Sequence, residues 1–423
     1  MAVATQQLSH VYPRGSFLDD RGHLHVGGCD VTELAHEFGT PAYLVAEDDL
    51  RARAREFKQA FAQLHPGPSQ LVFATKAFPC TAVLRLFAEE GLGCDVASGG
   101  ELALALKAGV DPKKIHLHGN AKSDEEIAYA LASGIGDVVV DNLDDLEKLE
   151  RLVPNGETQA VQVRVTPDVA GDTHAAISTG QADSKFGFGL DAARDVLAKI
   201  EASDKLDLTG LHAHIGSQLL QLDPFRRAVE AMATLGTEFR TVNVGGGLGV
   251  AYTRDQEPPR IADYARAKIE AVHEHFGTGV TIMDEPGRAL VGNGAVTIYR
   301  VQSVKRNVST WVGVDGGMSD NLRPMLYGAV YEAEVADRFG EGTPCKLVGK
   351  HCESGDVIIA AADLKDPRPG DVVVTPATGG YGYSMANNYN GQPRAPVVFC
   401  KDGDARVVVR RETYDDLLAR DVA

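Results

Sequence analysis

Between residues 71 and 290, short apolar runs alternate with longer stretches in which apolar side chains recur every three or four positions. This is the pattern of strands that are each followed by an amphipathic helix. Eight runs read as strands: LVFATKAF (71–78), GCDVAS (93–98), KIHLHGN (114–120), DVVVDN (137–142), VQVRVTP (161–167), LTGLHAHIGS (208–217), TVNVGGG (241–247) and VTIMDEPGR (280–288). Helices are expected between them in GELALALKAG, SDEEIAYALASG and LDDLEKLERL, the second opening with Ser123 and Glu126 at capping-box spacing. Repeated βα units build a parallel sheet, and eight of them fit an α/β fold of the (β/α)8 TIM-barrel type, typically about 250 residues long. Such a barrel keeps its chemistry at the C-terminal ends of its strands. Lys76, Asp95, His118, Asp141, Arg164, His214, Gly245 to Gly247 and Glu285 all close their runs.

After Val291 the texture changes to alternating runs separated by Gly, Pro and Asp turns: AVTIYRVQSV, STWVGVDGG, CKLVGK, DVIIAA, DVVVTPA, VVFCKDG and ARVVVRR. These read as a C-terminal all-β domain. FLDDRGHLHVGG and AYLVAE, within residues 13–47, are strand-like too, so the N-terminal segment is expected to pair into that β domain. The expected division is 1–47 for that segment, 48–293 for the barrel and 294–423 for the β domain, with DQEPPR (255–260) a loop before a helix.

A chain of 423 residues, 44% apolar and 24% charged, is globular, which excludes global disorder. Its net charge of −17 opposes nucleic acid and anionic membrane as partners. No basic segment precedes an apolar run at the N-terminus, and no stretch approaches the ~20 apolar residues that span a bilayer, so a cytoplasmic protein is expected. Cys29, Cys80, Cys94, Cys345, Cys352 and Cys400 lack CxxC spacing, which argues against a zinc site or a disulfide framework. Five read as small buried residues, with Cys352 set apart. HEH at 273–275 points apart on a helix and reads as solvated, so no metal is expected.

Lys76, in FATKAF, places a long amine at a strand end. Buried in a barrel mouth, such an amine has its pKa lowered and suits Schiff-base chemistry; the alternative is a surface lysine. VGGGLG (244–249) and EPGR (285–288) bring backbone without Cβ to two successive strand ends, which suits either a phosphate cradle or tight βα turns. Neither is a Walker loop or a GxGxxG fingerprint, but barrels commonly bind phosphate after strands seven and eight. A carboxylate such as Glu285, facing a protonated pyridine nitrogen, would keep that ring an electron sink, which points to pyridoxal 5′-phosphate (PLP). His214 could lie flat on the ring, with Ser217 donating to phosphate, or be a core histidine. CESGD (352–356) sets a thiol able to deliver a proton beside a carboxylate, and Tyr381 in YGYSMANNYN is either a phosphate donor or part of a turn.

FATKAF, CDVASGGEL, HAAISTGQADSKFGFG, HIGSQ, GGGLG, EPGRALV, RPMLYG, CESGD and YGYSMANNYN occur in one order along roughly residues 15–415. In this the chain resembles the PLP-dependent diaminopimelate decarboxylases, within the barrel-type group that includes ornithine and arginine decarboxylases. The resemblance implies that Lys76 holds the cofactor covalently and that His214 stacks on its ring. It implies phosphate and pyridine contacts from Ser217, Gly246, Gly247, Glu285, Pro286, Gly287, Arg288 and Tyr381. Substrate contacts are implied for Arg288, Arg323, Tyr327, Glu353 and Tyr381. Cys352 is similar to the family's proton donor, which comes from the other subunit of a head-to-tail homodimer. The implied reaction converts meso-2,6-diaminopimelate to L-lysine and CO2, the last step of lysine biosynthesis.

Two arginines and an acid suit a substrate whose far end is itself an amino acid, since a plain amine would leave the arginines unpaired. Phe73, Phe78, Leu322 and Gly380 depart from the residues more common in the family, and none removes a functional group. Rival readings are a decarboxylase of ornithine, arginine, D-lysine or a carrier-linked amino acid, a racemase, or a regulator without cofactor. A racemase needs a second base that is not evident. A regulator predicts loss of Lys76, the glycine cradle or Cys352, and all are present.

Overall fold

The computed structural model describes residues 8–169 and 184–422. It divides into two compact units, one of Arg53–Gly249 and Pro258–Ala289, the other of Met1–Ala52, Val250–Glu257 and Leu290–Ala423.

The first unit is the barrel. Its strands are Ser69–Ala74, Gly93–Val96, Ile115–Leu117, Asp137–Val140, Gln159–Thr166, Leu206–His212, Thr241–Asn243 and Thr281–Asp284. Each pairs in parallel with the next, and the eighth pairs with the first, closing the ring. All eight runs expected from the sequence therefore carry strands. Apart from Leu208, their valine, isoleucine and leucine residues are buried, as Val138, Val139 and Val140 are at 0%, 1% and 0% exposure, because a parallel sheet is covered on both faces. Helices occupy Gly99–Ala108, Asp124–Ala132 and Leu143–Leu152 as expected, and the capping box of Ser123 and Glu126 is formed. A short strand at Phe188–Gly189 lies beside the fifth barrel strand, while residues 174–183 of the HAAISTGQADSKFGFG motif lie outside the described residues.

The strands stop sooner than the apolar runs suggest. The first ends at Ala74, and Thr75–Ala77 form a single 3-10 turn that carries Lys76. His118, Asp141 and Glu285 likewise stand one residue beyond their strands, on the loops where a barrel concentrates function.

The second unit is built on the twelve-residue strand Ala295–Arg306. Its N-terminal half pairs antiparallel with Ala42–Ala46 and with Val372–Pro376, and its C-terminal half pairs antiparallel with Thr310–Val314. Ala42–Ala46 also runs parallel to Val397–Lys401, so the N-terminal segment supplies an interior strand of this sheet, as expected. FLDDRGHLHVGG does not join it. Phe17–Leu18, Leu24–Val26 and Cys29–Asp30 instead form a separate small sheet. Val26, Leu44, Val296, Val374 and Val398 share one apolar core, with Ala251 from the short segment between the barrel pieces.

Candidate active site

Glu285, 6% exposed, is the centre of a buried polar cluster at the barrel mouth. Its carboxylate lies 3.0 Å from His118 Nε2 and 3.3 Å from His212 Nε2, and Asn243 Nδ2 donates to Oε1 at 2.8 Å. Burial works to raise its pKa, but His118 and His212 overcome this and hold it well below the ordinary carboxylate value. Burial pushes His212 down to about 4, against the pull of Glu285. At neutral pH the pair is an ionised carboxylate facing a neutral ring that donates from Nε2.

His214 follows two residues after His212, and both rings are brought to the mouth by the period-two geometry of the sixth strand and its extension. Burial and the nearby charges of Lys76 and Arg164 drive His214 well below its usual pKa. The backbone agrees, because Gly246 N–H donates to His214 Nδ1 at 3.3 Å, which requires that nitrogen to be unprotonated. A neutral, flat ring at this place suits stacking. Arg164, buried over the Phe186 ring at 4.3 Å and 3.5 Å from Asp141, adds a positive charge to the mouth.

Lys76 is exposed at this rim, which corrects the expectation of a buried amine. Its turn is fixed from the second strand, because Asp95 Oδ1 accepts the Thr75 N–H at 2.9 Å. At the other side Arg288, 5% exposed, donates from Nη2 to Ser217 Oγ at 2.9 Å, joining a cation and a hydroxyl from two loops.

The glycine run has two causes. Gly245 and Gly247 have φ of +59° and +123°, in the left-handed region. Gly246 is needed for close approach, since a Cβ there would lie 2.1 Å from the Glu285 carbonyl oxygen. Pro286 and Gly287 are buried alongside, and a Cβ on Gly287 would meet the Ala74 Cβ at 2.8 Å.

The β unit holds a second group of expected residues. Arg323 is buried, bonds the Tyr331 hydroxyl and lies 4.6 Å over the Tyr252 ring. Burial disfavours its charge, but Tyr252, Tyr331 and Tyr381 more than offset that and raise its pKa. Tyr327 ends the short helix Arg323–Tyr327, half-buried. Tyr381 is held at φ +67°, an uncommon backbone state for a bulky residue that persists only where its surroundings enforce it. Cys352 and Glu353 are exposed, and the Cys352 N–H donates to Asn390 Oδ1 at 2.8 Å. The preceding His351 is pinned through Nδ1 to Asp356 at 2.7 Å. The other five cysteines are buried and all six are free, as expected.

PLP suits the barrel set. Its ring nitrogen calls for an ionised carboxylate, which Glu285 provides; its phosphate calls for a cation with hydroxyl and backbone donors, which Arg288, Ser217 and the glycine loop provide. His118 and Glu285 with His212 also lie close enough together to hold a metal ion. Their carboxylate is already taken up by ring and amide nitrogens, which fits the nitrogen of a cofactor better.

His212 and Asn243 were not singled out from the sequence, nor was Lys268, a buried lysine that donates to the Gly245 carbonyl at 2.8 Å. The signal was a histidine alternating with His214 and an asparagine inside an apolar strand. The HEH reading also needs correction, since His273 Nε2 lies 2.8 Å from Nδ1 of the buried His65.

The profile of the pyridoxal-dependent decarboxylases, pyridoxal binding domain, matches residues 47–292. A diaminopimelate decarboxylase of Halalkalibacterium halodurans is 44% identical, over 96% of this chain and 97% of its own. Among solved structures, a diaminopimelate decarboxylase from M. jannaschii in complex with L-lysine aligns at TM-score 0.91 and 33% identity, covering 97% of this chain and 98% of the other. The Helicobacter pylori diaminopimelate decarboxylase with L-lysine aligns at TM-score 0.87 and 34% identity, covering 92% and 98%. The profile match over more than half of the chain and the similarity over nearly its whole length place this protein in the diaminopimelate decarboxylase family of PLP-dependent decarboxylases.

Proposed function

We propose that this chain decarboxylates meso-2,6-diaminopimelate to L-lysine and CO2, the last step of lysine biosynthesis, as a cytoplasmic homodimer. The observation that carries the reading is the ionised, triply held Glu285 at the rim that also bears Lys76. The cofactor supplies a sink for the electron pair left when the carboxylate departs. Lys76 would anchor it covalently, the flat ring of His214 would lie against it, and Ser217, Gly246, Gly247, Pro286, Gly287, Arg288 and Tyr381 would hold its ends.

Glu285 would keep a proton on the ring nitrogen, and so let the ring accept charge. Arg323 is suited to a substrate carboxylate, because a guanidinium gives two parallel donors and the tyrosines around it keep it charged. Arg288, Tyr327 and Tyr381 complete substrate binding, and Glu353 faces the distal ammonium. Cys352, contributed by a second copy of the chain, returns a proton to the α-carbon. The exposure of its loop leaves the thiol available for that role.

The test is a panel of pure L-lysine, ornithine, arginine, D-lysine and meso-diaminopimelate, each incubated with protein and PLP while CO2 is measured. Turnover of diaminopimelate with L-lysine as product supports the reading. Preferred turnover of ornithine, arginine or D-lysine overturns it.

A further inference from the structure

Two fully buried side chains that are not assigned to touch cofactor or substrate bond directly to Glu285 or to the glycine loop. Asn243 ends the seventh barrel strand at 0% exposure. Its side-chain oxygen accepts the Gly245 N–H at 3.0 Å, while its amide donates to Glu285 Oε1 at 2.8 Å. Lys268, also at 0%, donates from Nζ to the Gly245 carbonyl at 2.8 Å, to Asp284 Oδ1 at 2.6 Å and to the Tyr264 hydroxyl. The same carbonyl accepts the Glu285 N–H at 3.1 Å.

The Gly245 peptide is therefore held at its N–H by Asn243 and at its C=O by Lys268 and by Glu285. Burying a lysine–aspartate pair gains little stability over apolar residues of the same volume, so stability alone does not account for this set. Its distinguishing effect is geometric, since it ties the first glycine of the loop to the carboxylate next to Asp284. We propose that Asn243 and Lys268 are positioning residues that lock the glycine loop and Glu285 into one rigid piece, which fixes the spacing between the phosphate end and the ring-nitrogen end of the cofactor. The inference rests on the assignment of those two groups to PLP.

Three variants test it: Asn243→Leu, which keeps volume but loses both bonds, Asn243→Asp, and Lys268→Met. Apo protein is titrated with PLP, and the visible band of the bound cofactor is followed across roughly pH 5 to pH 9, a range that spans shifted carboxyls. Far-UV circular dichroism checks the fold. Asn243→Leu and Lys268→Met are expected to weaken PLP binding by about tenfold to hundredfold, the cost of losing a buried bond to a charged group. Asn243→Asp sets a second carboxyl within hydrogen-bond reach of Glu285, so the two share one proton. Its PLP affinity stays near wild type at low pH, and its band gains a pH-dependent step that wild type lacks, which a purely structural residue would not produce.

Folded Asn243→Leu protein with wild-type affinity and band overturns the proposal. If that variant does not fold, an Asn243→Asp band without a new pH step overturns it instead. Wild-type protein that takes up no PLP refutes the underlying assignment before any variant is compared.

Discussion

Asp95 Oδ1 accepts the backbone N–H of Thr75 at 2.9 Å, so a residue of the second barrel strand sets the turn that presents Lys76. Thr75 is fully buried, and an N–H stripped of its partner there costs about 1–3 kcal/mol. Asp95→Ala is expected to lower stability by that amount and to cut kcat about tenfold or more, because a misplaced amine reacts slowly. Asp95→Asn keeps an acceptor and should retain most activity. Steady-state kinetics and denaturant unfolding of both variants check this, and equal kinetics for Asp95→Ala and wild type would contradict it.

Glu285→Gln preserves shape and the bond from Asn243 but removes the charge. Cofactor binding should survive, while kcat falls about a hundredfold to a thousandfold, the usual range for removing one group that stabilises developing charge. A variant with undiminished kcat would show that the carboxylate does not hold the ring proton.

Asp320, buried in the β unit, accepts the Gly317 N–H at 2.9 Å, yet burial lifts its pKa from 3.8 to about 7. Because the folded value lies above the unfolded one, the folded state keeps the extra proton. Its contribution is whole below about pH 4 and is lost as pH rises through about 7. Urea unfolding at intervals across that window should show wild type losing on the order of a few kcal/mol relative to Asp320→Asn. Parallel curves for the two proteins would disprove the shift.

Sites shared between two copies of the chain, as proposed, predict complementation. Lys76→Ala and Cys352→Ala proteins should each be inactive, and mixed dimers should regain part of the activity, at most about one site in four if pairing is random. Demonstrated mixed dimers that stay inactive would place each Cys352 with its own chain.

The barrel was legible because its strands lie in short, largely apolar runs closed by polar and turn residues, and this pattern is local. Where the strands end was not. The chain leaves the sheet after Ala74, where Asp95, twenty residues beyond Thr75, captures the Thr75 N–H. The alternation of FLDDRGHLHVGG was read correctly as strand, but the choice of partner is not written in a local pattern, and these residues pair with one another. The residues proposed for the site stand in recognisable motifs. Asn243 and Lys268 were hidden because Glu285 and Gly245 reach them only when the seventh and eighth strands pair and the helix between them packs on the sheet. His273 likewise finds His65 across 208 residues of sequence.

In the proposed chemistry a single amine at the barrel mouth, that of Lys76, carries the cofactor. Borohydride reduction of PLP-loaded protein, followed by peptide mass mapping, tests it directly. A phosphopyridoxyl group is expected on Lys76 and on no other lysine, and none in Lys76→Ala protein. A modified lysine elsewhere, with Lys76 unmodified, would contradict it.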